Sequence, residues 1–165
     1  MSLKSLLAIP FAKYAKKQVY KWANNPLKTQ EKVFNNLITE GSKTAFGKDH
    51  DFVSINTYED FKKRVNVNDY EGLRPYVDRM VAGEENVLWK GKPIYFAKTS
   101  GTTSGAKYIP ITKESMPTHI TSARNALLFY IAETKDASFV NGKMIFLQGS
   151  PILEDKNGIK LGRLS

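Results

Sequence analysis

Ala97-Lys98-Thr99-Ser100-Gly101-Thr102-Thr103-Ser104-Gly105-Ala106-Lys107 is the stretch whose reading decides the fold. Five of its eleven residues carry hydroxyls, two are glycine, and a lysine stands near each end. Ahead of it, Pro93-Ile94-Tyr95-Phe96-Ala97 reads as a buried strand. Behind it, Tyr108-Ile109-Pro110-Ile111, short and β-branched, reads as the next strand. Core packing does not call for a polar loop between two apolar strands. The composition suits phosphate: glycine frees backbone N–H groups to approach a ligand, hydroxyls donate, and lysine adds a point charge. The plain alternative is a Ser/Thr-rich surface hairpin loop. The stretch is not a Walker A loop, because only three residues separate Gly101 from Gly105 and Lys107 is followed by Tyr108. Nor is it a dinucleotide fingerprint, which needs Gly-x-Gly-x-x-Gly opening directly into a helix.

Outward from the loop, two short strands are expected over Asn86–Trp89 and Pro93–Ala97, joined by the turn Lys90-Gly91-Lys92. After Ile111, Thr112 or Ser115 can cap a long helix carrying Met116, Ile120, Ala123, Leu127 and Ile131 and ending near Lys135. Lys143–Leu147 reads as an interior strand, and Lys156–Leu161 as a hairpin arm. Upstream, the pattern is helical. One helix from Pro10 to Ala23 places Phe11, Tyr14, Ala15, Val19 and Trp22 on one stripe, with Lys13, Lys16, Lys17 and Lys21 off it. Such a basic helix either docks on the body of the protein or lies on a membrane surface; docking is the default. A second helix is expected from Thr29 as N-cap to Glu40, then a loop over Gly41–Asn56. A short helix is expected from Thr57 to Arg64, and another over Tyr70–Val81 that Gly83 closes. Glu59, Asp60, Glu71 and Asp78 have capping and surface roles as their default, and no catalytic pair stands out among them.

At 165 residues, with 41% hydrophobic and 12% aromatic content, the chain is globular in composition, and no apolar run approaches the ~20 residues of a bilayer span. It contains no cysteine, which excludes a disulfide framework and thiol chemistry and suits a cytoplasmic setting. His50 and His119 have no metal-ligand company. The net charge of +9 would suit a nucleic-acid or anionic partner, but the lysines are dispersed, and no interleaved Arg/aromatic strand motif accompanies them.

The order Thr99-Ser100-Gly101-Thr102-Thr103-Ser104-Gly105-Ala106-Lys107 resembles the phosphate-binding loop of the acyl-adenylate-forming superfamily, Ser-Gly-Thr-Thr-Gly-x-x-Lys. The run Phe96–Thr112 is similar to one branch of it, the auxin-responsive acyl acid–amido synthetase family, in its bacterial-type form. Supporting blocks are Thr44-Ala45-Phe46-Gly47-Lys48, Tyr58-Glu59-Asp60-Phe61-Lys62 and Tyr70-Glu71-Gly72-Leu73-Arg74-Pro75-Tyr76-Val77-Asp78-Arg79. The resemblance implies an α/β fold: the N-terminal part of a large ATP- and acyl-binding domain. Residues 1–83 would be mainly helical, and 84–165 would run strand–loop–strand–helix–strand around the phosphate loop. A smaller mobile C-terminal domain, and the segments that hold adenine and ribose, are expected to lie beyond this chain, which alone should not complete a catalytic cycle.

The resemblance also implies the chemistry. ATP and Mg²⁺ would serve to activate a carboxylic acid as its acyl-adenylate, and an amine such as an amino acid would then take the acyl group. Nucleic acid and membrane are not expected as partners. Ser100, Thr102, Thr103 and Ser104 would supply hydroxyls to the β and γ phosphates, with Thr99 at the loop's entry. Gly101 and Gly105 would let the backbone approach, and Lys107 would supply charge as a stabiliser. Ser104 is inserted ahead of the glycine relative to the superfamily pattern. Arg124, on the helix after the loop, is a candidate to meet a polar group of the acid, against the alternative of a solvated surface arginine.

Overall fold

The computed structural model of the chain describes residues 3–99, 106–143, 145 and 153–163. They group into two compact units, one of residues 1–30 and 114–147, the other of residues 31–113 and 148–165.

The first unit is built on two helices, α1 (Leu3–Ala23) and α6 (Met116–Thr134), with a 3₁₀ turn at Ser138–Asn141. α1 starts seven residues earlier than the expected Pro10 and carries that proline inside it. Its early turns are tied down: the Asn141 side-chain amide donates to Ser5 Oγ at 2.7 Å. Of the expected stripe only Ala15 is buried. Ser5, Ala12 and Ala15 are buried, whereas Phe11, Tyr14 and Trp22 are 48%, 59% and 55% exposed. On α6, Leu128 and Ile131 are buried, while Ile120 and Leu127 are exposed. The physical reason is close approach. Ala8, Ala12 and Ala15 recur at helical spacing, and their small side chains let Leu128, Ile131 and Ala137 seat against the α1 backbone. Both helices are apolar on more than one face, so periodicity alone does not choose the face that meets a partner. Lys16 and Glu133 form an ion pair across the two. α6 ends at Lys135, in the left-handed region at φ 59°.

In the second unit, α2 (Pro26–Gly41) runs in from the boundary, followed by α3 (Ala45–Asp49), a 3₁₀ turn at Phe52–Ser54, α4 (Tyr58–Arg64) and α5 (Tyr70–Val81). Thr29 is not the N-cap of α2. Pro26 opens the helix, a position where its missing N–H is no loss, and the Thr29 hydroxyl donates instead to the Trp22 carbonyl at 3.3 Å. The expected loop 41–56 holds α3 and the 3₁₀ turn. Thr44 caps α3: its hydroxyl accepts from Gly47 N–H at 3.0 Å and donates to the Gly41 carbonyl at 2.7 Å. Phe52, buried with Ile38 and Ile55, is flanked by Phe34, Phe46 and Phe61.

α4 and α5 keep the bounds their caps dictate. Thr57 forms a full capping box with Asp60: the hydroxyl accepts from Asp60 N–H, and the carboxylate accepts from Thr57 N–H at 3.0 Å. The Thr57 hydroxyl beside it, chiefly, and the Asn56 and Thr57 amides hold the Asp60 carboxyl below its ordinary pKa. A depressed carboxyl stabilises the fold above its unfolded-state pKa and loses that contribution as pH falls through the folded-state value. The capping box should therefore weaken on acidification, and Thr57→Ala should flatten the acid limb of a stability-versus-pH curve. An unchanged acid limb in urea titrations of that variant would refute this.

The sheet has strand order β2-β1-β4-β3, from β1 (Tyr95–Thr99), β2 (Lys107–Ile111), β3 (Glu154–Lys156) and β4 (Ile159–Arg163). β1 pairs antiparallel with β2 and parallel with β4. β3 and β4 form the expected hairpin arm, turned by Asn157 and Gly158, both at positive φ. Phe96 and Ala97 face opposite sides of β1 and are both fully buried, as the unbroken apolar run predicts.

The strand expected over Asn86–Trp89 does not form. Asn86 sits at φ 57°, and its backbone and side chain close a turn with Gly91 at 3.1 and 2.8 Å. The carbonyls of Asn86 and Val87 accept from the N–H groups of Ala45 and Phe46, the first turn of α3, at 2.8 and 3.0 Å. Helix capping thus takes groups that a sheet would have used. Val87 still reaches the core, packed with Met80, Phe96, Ile159 and Leu161. The strand expected over Lys143–Leu147 falls largely outside the described residues; Lys143 and Ile145 belong to no helix or strand.

Candidate functional site

β1 and β2 bring the two ends of the polar loop together. Thr99 and Lys107 are partners in the antiparallel register, so the chain leaves the sheet after Thr99 and re-enters it at Lys107 on the neighbouring strand. Ser100, Gly101, Thr102, Thr103, Ser104 and Gly105 themselves lie outside the described residues. The loop follows the carboxyl end of β1, whose parallel partner β4 ends on the same side. In open α/β sheets that is the side on which ligands bind.

The anchoring side chains differ in what holds them. Thr99 is exposed. Lys98 pairs with Glu154, its Nζ 3.9 Å from the carboxylate. Lys107 is partly buried, and its Nζ lies 5.3 Å from the centroid of the Tyr70 ring. Among the described residues no carboxylate pairs with Lys107, so its positive charge is not neutralised by one. The Tyr70 hydroxyl accepts from the backbone N–H of Tyr108 at 2.9 Å. Tyr108 in turn packs edge-on against Phe96 and has the Lys156 ammonium 5.1 Å from its own ring. The sequence pattern gives Tyr70 a place at the start of a helix and no role at the loop. Tyr70 opens α5 directly after the cap Asp69, and helix periodicity gives no sign that it reaches the foot of a loop 38 residues on.

Arg124 belongs to the other unit. It is exposed on α6 with its guanidinium 6.0 Å from the Phe11 ring. The same unit has a shallow hollow of about 390 Å³ lined by Val19, Trp22, Thr118, Thr121, Ser122 and Asn125 among others; Arg124 does not line it. Among the described residues the buried Asn125 Oδ1 has no hydrogen-bond partner. Among the described residues no three His, Cys, Asp or Glu converge as a metal site. None of the described helices is long and apolar enough to cross a membrane.

A family model described as the GH3 family N-terminal domain matches residues 15–165. Among curated proteins, the jasmonoyl–L-amino acid synthetase JAR4 of Nicotiana attenuata is 26% identical over 138 residues, covering 82% of this chain and 23% of that protein. The indole-3-acetic acid-amido synthetase GH3.2 of Arabidopsis thaliana is 32% identical over 104 residues, covering 62% of this chain and 19% of that protein. Among solved structures, AtGH3.15 acyl acid amido synthetase in complex with 2,4-DB superposes with a TM-score of 0.78 at 20% identity, over 91% of this chain and 26% of that one. The α/β arrangement of a helical region leading into strands is thus the fold of the N-terminal part of such structures. The chain spans about a quarter of the length of these relatives or less.

Proposed function

The chain belongs to the GH3 family, and on that premise we propose that it is the phosphate-gripping part of an ATP-dependent acyl acid–amido synthetase. One observation carries the reading: the register that closes a loop of hydroxyls and glycines between Thr99 and Lys107, with the lysine's charge uncompensated by any described carboxylate.

A carboxylate oxygen of the acid attacks the α-phosphorus of ATP. The bond from that phosphorus to the bridging oxygen breaks, and pyrophosphate leaves with the electron pair. The nitrogen of an amine then attacks the acyl carbon and loses a proton, and AMP departs. The first step asks the protein to position the triphosphate and to stabilise the charge gathering on the departing phosphates. The hydroxyls of Ser100, Thr102, Thr103 and Ser104 and the backbone at Gly101 and Gly105 supply donors, with Thr99 at the entry and Lys107 adding positive charge at the exit. The amine acceptor is read as an amino acid, the partner of the acyl acids in the names of the relatives.

The hydroxyl oxygens of the loop, that of Thr99 among them, would suit Mg²⁺ brought in with the triphosphate. When bound, it would neutralise part of the pyrophosphate charge.

ATP–pyrophosphate exchange by the full-length protein, run over a panel of carboxylic acids, tests the reading. Exchange that depends on one class of acid, and amide formation on adding amino acids, is expected; no exchange with any acid would overturn it. Arg124, on the helix after the loop, is proposed as a contact to a polar group of the acid. Arg124→Ala should then change the ranking of acids by about tenfold for those bearing a second polar group, the loss of one hydrogen bond to a charged group. An unaltered ranking with a lowered melting temperature would leave Arg124 only its packing role on Phe11.

A further inference from the structure

Among the described residues β2 is the outer strand on its side of the sheet, and an outer strand presents N–H groups that no neighbouring strand accepts. Successive amides alternate in direction, so residues 108 and 110 present theirs to the same edge. Residue 110 is a proline and has no N–H to satisfy. Residue 108 gives its N–H to the hydroxyl of Tyr70. A single side chain from α5 therefore completes this part of the edge of the strand that leaves the polar loop.

The same side chain does a second thing. Its ring lies under the Lys107 ammonium, the neighbour of the amide its hydroxyl receives. An aromatic face attracts an ammonium through its quadrupole but leaves its net charge intact and its N–H donors available. A carboxylate would offset the lysine's charge and occupy its donors, as Glu154 and Asp155 pair with Lys98 and Lys160. A ring suits a lysine that must be kept in place and still meet an anion. Tyr70 is itself well anchored. It is the first residue of α5, whose cap Asp69 accepts from Gly72 N–H at 3.0 Å and whose Val77 and Met80 are buried.

We propose that Tyr70 is a positioning residue for phosphate binding: its ring sets the Lys107 ammonium and its hydroxyl sets the backbone beside it. It acts through Lys107 and touches neither nucleotide nor acid. The proposal rests on the phosphate reading of the loop.

The test is a double-mutant cycle in the full-length enzyme, read by ATP–pyrophosphate exchange at varied ATP and saturating acid. Tyr70→Leu, which removes ring and hydroxyl, should raise the KM for ATP about tenfold. Tyr70→Phe, which keeps the ring, should restore most of that loss while the Tyr108 amide exchanges faster with deuterium. In a Lys107→Ala background, Tyr70→Leu should add less than about a twofold change, because the group it positions is gone. Equal losses from Tyr70→Leu in both backgrounds would overturn the proposal and leave Tyr70 a structural residue. So would a Tyr70→Phe enzyme as impaired in KM as Tyr70→Leu. Unchanged kinetics for Lys107→Ala alone would be a different failure, that of the phosphate reading itself.

Discussion

Thr102→Ala combined with Lys107→Ala in the full-length protein should lower ATP–pyrophosphate exchange by about 10²–10³-fold, the range for removing preorganised donors from developing charge. The loss should appear both in the KM for ATP, because Lys107 also holds the bound triphosphate, and in the rate at saturating ATP, because these groups meet the charge that moves onto pyrophosphate in the transition state. Folding should be nearly untouched. Lys107 sits at the first position of an outer strand, and its ammonium is held by a ring, not by a network whose loss would leave a buried charge. The second half-reaction gives the control. Amide formation from a supplied acyl-adenylate involves no β or γ phosphate, so it should proceed at close to the parental rate. Exchange that survives the double substitution would show that this loop does not grip the triphosphate.

Gly47→Ala should be the most damaging single methyl addition among the described residues of the helical region, costing about 3 kcal/mol, the upper end for overpacking. A Cβ there would fall on the Gly41 carbonyl oxygen, 2.7 Å from the carbonyl carbon and 3.0 Å from Ser42 Cα. All three are backbone atoms at the end of α2, which cannot swing aside as a side chain can. Making room means moving α3 off that end. The buried Thr44 hydroxyl would then lose both its bond from Gly47 N–H and its bond to Gly41. The contacts of Phe46 with Tyr76 and Phe52, at ring-centroid distances of 5.1 and 5.8 Å, would shift as well. Urea unfolding should show a lower midpoint at unchanged slope. A loss below about 1 kcal/mol would mean that the end of α2 yields more easily than a close-packed interior should.

Local signals were legible wherever a few neighbouring residues settle the outcome. Thr57 with Asp60, and Asp69 with Gly72, close hydrogen bonds within one helical turn, and the two helices keep the expected bounds, from the cap Thr57 to Arg64 and from Tyr70 to Val81. Asn157-Gly158 turns a hairpin because both adopt positive φ at small cost. The apolar runs flanking the loop became β1 and β2 because each is short, β-branched or aromatic, and bounded by polar residues. Signals that depend on distant partners misled. The carbonyls of Asn86 and Val87 cap α3 instead of joining a sheet, which no pattern within 86–89 reveals. The large apolar residues of α1 read as its buried stripe, yet its alanines are what pack against α6.

By itself the sequence determined the kind of loop this is, a hydroxyl- and glycine-rich bend closed by lysine between two strands, and with it the family. Those features are local in the chain, and composition and order express them directly. Only the tertiary structure decided which face of each long helix is inside, where the 86–89 backbone hydrogen bonds go, and that Tyr70 reaches Lys107 and Tyr108. Each of these depends on groups tens of residues apart meeting within a few ångströms, and the chain's folded path, not its order, sets that distance.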